Sequence, residues 1–318
     1  MPRIRSPLPR LAWLSLLVVL LAGLARAEPG RTAADSPLFL WEITTPKGTS
    51  YLMGSVHAAK PDFYPLDPRL EAAFGQCSAL AVEADIAGGL DHLADTVKTL
   101  GCYPEGGRDG LERHISSKTR RLFEKLHLDV AKLRQLRPWL AALVVETKLM
   151  EVLGFDVKLG IDQHFLDAAR QRDLPVRQLE SVEAQLHLLA DTPRDCADAQ
   201  LYEALRAVQN KGLVLKKIMA FWQAGDDAAL TRLLAEEMAA HPEYRACADR
   251  LIGQRNRAMA EVMAGWLEEG TPVFVVVGAA HLVGPDGLVA LLRAKGHAVA
   301  QVGAGSKAAG VPDGPGRQ

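Results

Sequence analysis

Two apolar runs with β character sit at opposite ends of the sequence. "SYLMG" begins at Ser50 and "VFVVVG" at Val273; each stops at a glycine, and each has a histidine three residues beyond it, His57 and His281. Neither end of the chain carries enough strand to bury such a run alone, so the N- and C-terminal strands have to meet in one sheet. The long stretch between them then becomes an insertion that covers that sheet.

The local signals agree with this layout. "LFLWEI" from Leu38 and the run from Ser50 to Met53 flank "TTPKGT", whose residues set tight turns, and predict a hairpin. "DPRLEAAFGQC" from Asp67 reads as a helix with aspartate as its cap and proline in its first turn, and "ALAVEADI" from Ala79 as a buried strand. The middle is helical: "PWLAALVVETKLMEVLG" from Pro138, "IDQHFLDAARQR" from Ile161, "SVEAQLHLLADT" from Ser181 and amphipathic stretches between Ala197 and Leu267, interrupted only by "LPVRQLES" as a strand. "PDGLVALLRAKG" and "HAVAQV" close the chain as a helix and a last strand. The fold class is α/β with an α+β-like character, a central mixed sheet of N- and C-terminal strands under a large helical insertion.

Both termini read as lying outside that domain. Arg3, Arg5 and Arg10 precede an apolar stretch from Leu11 to Leu24, and "ARA" at Ala25 to Ala27 has the small-x-small form read by signal peptidase. The apolar stretch falls short of the roughly 20 residues of a spanning helix, so the expectation is a cleaved signal peptide, residues 1–27, with cleavage after Ala27 and export to the periplasm or medium. Residues 28–302 then form one domain, residues 303–318 a flexible tail, and the membrane is met only during export. The whole chain has a net charge of −1, and because four arginines and no acid lie in the leader, the remainder is near −5. That balance argues against nucleic acid as a partner and leaves a peptide or small molecule. Four cysteines, Cys77, Cys102, Cys196 and Cys247, contain no C-x-x-C spacing, and their pairing in an oxidising compartment stays open.

The residues just beyond each strand are more telling. Gly54 to His57 comes after the first apolar run, Glu83 and Asp85 after "ALAV", Glu180 after "VRQL", and Gly278 to His281 after the last. If these strands are mostly parallel, their carboxyl ends share the edge where open α/β sheets bind ligands. The bare G-x-x-H pattern is weak, since 27 glycines and 9 histidines in 318 residues give roughly one by chance and a third occurs at Gly89 to His92. Context separates the two, because only His57 and His281 come after a β-type run. Glycine would let the chain turn off the strand and approach a ligand, and histidine there serves as metal ligand or general base. Glu83 would complete a metal shell or orient an imidazole.

In "RLIGQRNRAMAEVMAGWL", Ile252, Met259, Met263 and Trp266 form a core-facing stripe with Arg255 and Asn256 in its gap. A polar pair on a buried face needs partners. The pair either reaches into the acidic cleft to bind an anion or substrate carbonyl, or makes a structural ion pair. Asp162 in "GID" enters the cleft or caps its helix, and Ser181 is a better cap than Glu180. No H-E-x-x-H, G-x-S-x-G, Walker loop or G-x-G-x-x-G is present, which removes common zincin, serine-hydrolase and nucleotide-binding readings.

"LWEITTPKGTSYLMGSVHAAKPDFYPL", "ALAVEADI", "GIDQHFLDAA" with "LPVRQLESVEAQLHLLA", "RNRAMAEVM" and "VFVVVGAAHLVGPDGLVALLRAKGHAVAQV" together resemble the TraB/GumN family over Leu38 to Val302. The resemblance implies a sheet-centred fold related to Tiki proteases and, more distantly, to erythromycin-esterase-like enzymes. It further implies a metal-dependent, peptidase-like hydrolase in which His57, His281 and Glu83 hold manganese or cobalt, with zinc as another choice. Arg255 and Asn256 match the family's arginine-asparagine helix; Arg255 would stabilise an oxyanion, and Glu180 or Asp162 would add a ligand or base. Two alternatives remain: an esterase- or amidase-like hydrolase that needs no metal, and a non-catalytic periplasmic binding protein linked to polysaccharide or peptide processing.

Overall fold

The computed structural model describes residues 36–85, 90–240 and 245–303. The expected leader, most of the C-terminal tail, Gly89 and His241 lie outside the described residues, as does the side chain of His92. The strands are β1 (Leu40–Thr45), β2 (Gly48–Ser55), β3 (Ala79–Val82), β4 (Val176–Gln178), β5 (Val273–Gly278) and β6 (Ala298–Gln301). The first half carries helices α1 (Pro68–Gly75), α2 (Leu90–Gly101), α3 (Ser117–Lys125), α4 (Pro138–Val152), α5 (Ile161–Gln171) and α6 (Val182–Ala190). The second half carries α7 (Arg194–Gln209), α8 (Leu213–Gln223), α9 (Asp227–Ala240), α10 (Arg245–Ala248), α11 (Gln254–Glu269) and α12 (Leu288–Ala294).

The strands form one mixed sheet in the order β4-β3-β5-β2-β1-β6. β4, β3, β5 and β2 run parallel, while β1 pairs antiparallel with both β2 and β6. The two ends of the chain therefore do meet, with β5 inserted between β2 and β3. All six residues of β5 and all four of β3 are buried, the mark of parallel strands covered on both faces. Tyr51 pairs with Phe274 across β2 and β5, and Phe274 packs against Phe74 of α1 and Phe165 of α5. Asp67 caps α1 by accepting from the Arg69 N–H, with Pro68 as the first helical residue.

The helical insertion is tied to itself as well as to the sheet. Cys196 at the start of α7 is bonded to Cys247 in α10, while Cys77 and Cys102 are free thiols. The bridge closes a separation of 51 residues, and loop entropy of that size stabilises by about 2–4 kcal/mol. Replacing both cysteines by serine is expected to lower the unfolding free energy by that amount in urea titrations, and an unchanged midpoint would show that α10 is held by other contacts.

Candidate active site

The carboxyl ends of the four parallel strands place His57, Glu83, Glu180 and Gly278 on one edge. The glycines serve space rather than turning, because neither Gly54 nor Gly278 has positive φ. A Cβ on Gly54 would lie 2.6 Å from the Phe39 ring and 3.1 Å from the Ala279 backbone, and the Trp222 indole N–H donates to the Gly54 carbonyl at 2.6 Å. A Cβ on Gly278 would lie 3.2 Å from His57 Nε2, 3.3 Å from Glu83 Oε1 and 3.7 Å from His281 Cδ2. Both imidazoles and the glutamate thus crowd over a single glycine, the convergence the sequence predicts.

Arg255 is the hub of this edge. Its Nε donates to both oxygens of Glu180 at 3.0 Å, and its Nη2 donates to Glu83 Oε2 and Glu180 Oε2, each at 2.7 Å. Its Nη1 donates to the Leu251 carbonyl at 3.2 Å and lies 3.3 Å from His281 Nε2. A guanidinium has five N–H donors, and these acceptors account for them. Arg255 is therefore a buried ion-pair centre, not the free oxyanion donor that the family resemblance suggests. Glu180 is held further by the Gln185 side-chain amide at 3.0 Å, while Ser181 makes the cap of α6.

Asn256 is fully buried and fixes the second imidazole. Its Nδ2 donates to the His281 and Asp286 carbonyls at 3.1 and 2.8 Å, so its Oδ1 is the atom left to accept from His281 Nδ1–H at 2.6 Å. That assigns the proton to Nδ1 and leaves Nε2 bare toward Arg255. Burial drives the pKa of His281 down to about 4 against the pull of Glu83, and the imidazole stays neutral. For Glu83 burial pushes upward, but His281, Arg255, His57 and the Gly278 N–H, which donates to Oε1 at 2.7 Å, outweigh it and hold the carboxyl near 2. With His281 neutral, Arg255, the His57 cation and the amide are the lasting part of that stabilisation. The consecutive inward residues Arg255 and Asn256 come one residue after a π-helical turn, Asp249–Gly253, the kind of widened turn that recurs at functional sites.

His57 has the opposite electrostatics. Its Nδ1 lies 3.2 Å from Asp162 Oδ1, within ion-pair range but out of hydrogen-bond alignment. Burial lowers its pKa, yet Asp162 and Glu83 together raise it to about 8. Asp162 is in the first turn of α5 and makes no cap; Gly160 occupies that position, so the capping role expected of an aspartate there is not what the fold uses. The Ile161 N–H donates to the Val56 carbonyl, which brings α5 alongside the histidine loop.

For a divalent ion the donor set expected from the family, His57, His281 and Glu83, does not fit as arranged. Both Glu83 oxygens are engaged, and a guanidinium cation touches two of the three residues. Among the described residues no group of three or more His, Cys, Asp or Glu side chains is disposed to hold a metal.

Sequence reasoning passed over Ser55, Gln185 and Trp222. Ser55 is 1% exposed, lies in register with Gly278, and its hydroxyl has no hydrogen-bond partner among the described residues. It stands inside the first G-x-x-H, which is the only signal that pointed to it.

A model of the TraB/PrgY/gumN family matches residues 39–301. A protein of Shigella flexneri described as uncharacterized protein YbaP is 29% identical over 263 residues, covering 79% of this chain and 91% of that protein. Its namesake in Escherichia coli K12 is 28% identical with the same coverage. No solved structure matches at a significant level.

Proposed function

Because the chain belongs to the TraB/PrgY/gumN family, whose paired G-x-x-H motifs stand here over one sheet edge, we propose an exported hydrolase of ester or amide bonds working by acid–base catalysis at His57. The observation that carries this reading is the His57 ring, with Asp162 behind its Nδ1 and its Nε2 directed over Gly278. An imidazole backed by a carboxylate is the general base that oriented proton transfer requires. His57 Nε2 takes a proton from water as the oxygen attacks the substrate carbonyl carbon, then returns it to the departing alkoxide or amine. Asp162, within ion-pair range of Nδ1, stabilises the imidazolium by its charge. Glu83, Arg255 and Glu180 build the rigid floor, and His281, neutral and locked by Asn256, completes it. The leader would deliver the enzyme outside the cytoplasm, where a peptide or small acyl compound is the substrate class.

The test is a pH–rate profile on activated acyl esters and peptide anilides, with and without chelator. The base form of His57 is needed, so kcat/KM should rise with pH and level off above about 8. Asp162→Asn removes the nearest group raising that pKa. The limb should move toward the ordinary histidine range near 6.5 while the plateau falls. Activity that vanishes with chelator and returns only with manganese or cobalt would replace this reading by a metal-dependent one. Absence of turnover across the panel, with ligand binding retained, would favour a binding protein.

A further inference from the structure

Ser55 is the last residue of β2 and the second of the first G-x-x-H, and the chemistry above gives it no task. Residues in register on neighbouring strands project from the same face of a sheet, and along one strand every second residue shares that face. Tyr51, Met53 and Ser55 of β2 therefore stand on one face with their partners Phe274, Val276 and Gly278 of β5. Ring contacts identify this face: Tyr51 packs on Phe274, and Phe274 on Phe165 of α5. α5 is also the helix that sets Asp162 against His57. Gly54 belongs to the opposite face, where a Cβ would meet the Phe39 ring. The Ser55 side chain thus rises on the His57 side of the sheet, one strand spacing, about 4.8 Å, from Gly278.

The spot above Gly278 is bounded by polar atoms. The place a Cβ would take lies 3.2 Å from His57 Nε2 and 3.3 Å from Glu83 Oε1, and glycine keeps it clear of any side chain. An oxygen whose proton His57 takes has to stand about 2.6–3.2 Å from that nitrogen, which puts it over this glycine. Ser55 flanks the same spot from the β2 side. Its hydroxyl is buried and makes no hydrogen bond with any described residue, and a buried hydroxyl in that condition is relieved by a partner the size of one water. The neighbouring donors are committed elsewhere: Arg255 to Glu83, Glu180 and the Leu251 carbonyl, and the Gly278 N–H to Glu83. Ser55 does not bond to His57 either, as a serine nucleophile activated by that imidazole would.

We propose that Ser55 is a further catalytic residue, whose hydroxyl donates to the attacking water over Gly278 while His57 Nε2 takes that water's proton. The water oxygen keeps the serine hydrogen bond as it adds to the acyl carbon, and Ser55 itself neither gains nor loses a proton. This deepens the hydrolase reading and rests on it. The experiment compares wild type and Ser55→Ala on the acyl esters and peptide anilides, with melting curves and a pH–rate profile for each. Ser55→Ala should melt no lower than wild type, because it removes a buried hydroxyl that has no protein partner. It should lower kcat by about 10–10²-fold, the effect of losing the alignment of a reacting group, at unchanged KM. Its pH limb should coincide with that of wild type, since the imidazole and Asp162 are untouched. A kcat within twofold of wild type overturns the assignment, as does a loss carried by KM or by a displaced pH limb, which would mark a disturbed site. Stoichiometric labelling of Ser55 by a fluorophosphonate would overturn it in favour of attack by the serine itself. A wild type that turns over none of the substrates removes the hydrolase reading, and this assignment with it; turnover in wild type that Ser55→Ala fully retains removes the assignment alone.

Discussion

His57→Ala is expected to lower kcat/KM by about 10²–10⁴-fold, the range that a positioned general base contributes, while leaving a folded protein. The imidazole sits on the loop beyond β2 and pairs only with Asp162, whose side chain keeps 26% of its exposure and can be hydrated when the ring is gone. The pair's own effect on stability has a definite sign. With a folded pKa raised to about 8, its contribution is complete below the unfolded value near 6.5 and disappears as the pH rises through 8. A melting comparison at pH 6 and pH 9 should accordingly separate the variant from wild type more at the lower pH. Turnover within a few-fold of wild type in a folded His57→Ala protein would remove His57 as proton carrier.

The second large effect is on the fold. Arg255→Met should cost about 3–5 kcal/mol, because deleting one member of a buried ion network leaves the others unpaired. Glu83 and Glu180 would lose their guanidinium, and the Leu251 carbonyl its donor. In the wild type Glu83 is held near 2, so its stabilisation is present above the ordinary carboxylate range and is lost as acid approaches 2. In the variant an uncompensated carboxylate is worst when ionised, so the deficit should be greatest at pH 8 and narrow toward pH 4.5. Urea titrations at the two pH values check this. Lysine is not a remedy, since one ammonium cannot reproduce the fork that serves both carboxylates at once. A uniform loss at every pH would mean that packing, not charge, sets the value of this residue.

The sheet was legible because its buried parallel strands are short apolar runs that stop at polar residues, and parallel pairing places those polar residues together. The Arg255–Asn256 pair was legible as a gap in an otherwise apolar stripe, for Met259 and Met263 are indeed buried beside it. Its employment was not: Glu83 and Glu180 are 172 and 75 positions away in sequence, and no local pattern encodes five satisfied donors. Local rules left Asp162 open between cap and cleft, since first-turn aspartates often serve their own helix, and it is the contact of Ile161 with Val56 that turns this one toward His57. The pairing of Cys196 with Cys247 is likewise a product of how α7 and α10 meet, which spacing does not carry.

The placement of β5 between β2 and β3 sets a clock on maturation. A chain ending before Val273 has the β1–β2 and β3–β4 pairs but lacks β5, which joins them, the edge strand β6, and with them Gly278 and the second imidazole. Without that last stretch His57 and Glu83 have no common neighbour, because the parallel pairing of β5 with both β2 and β3 is what holds their two strands in one sheet.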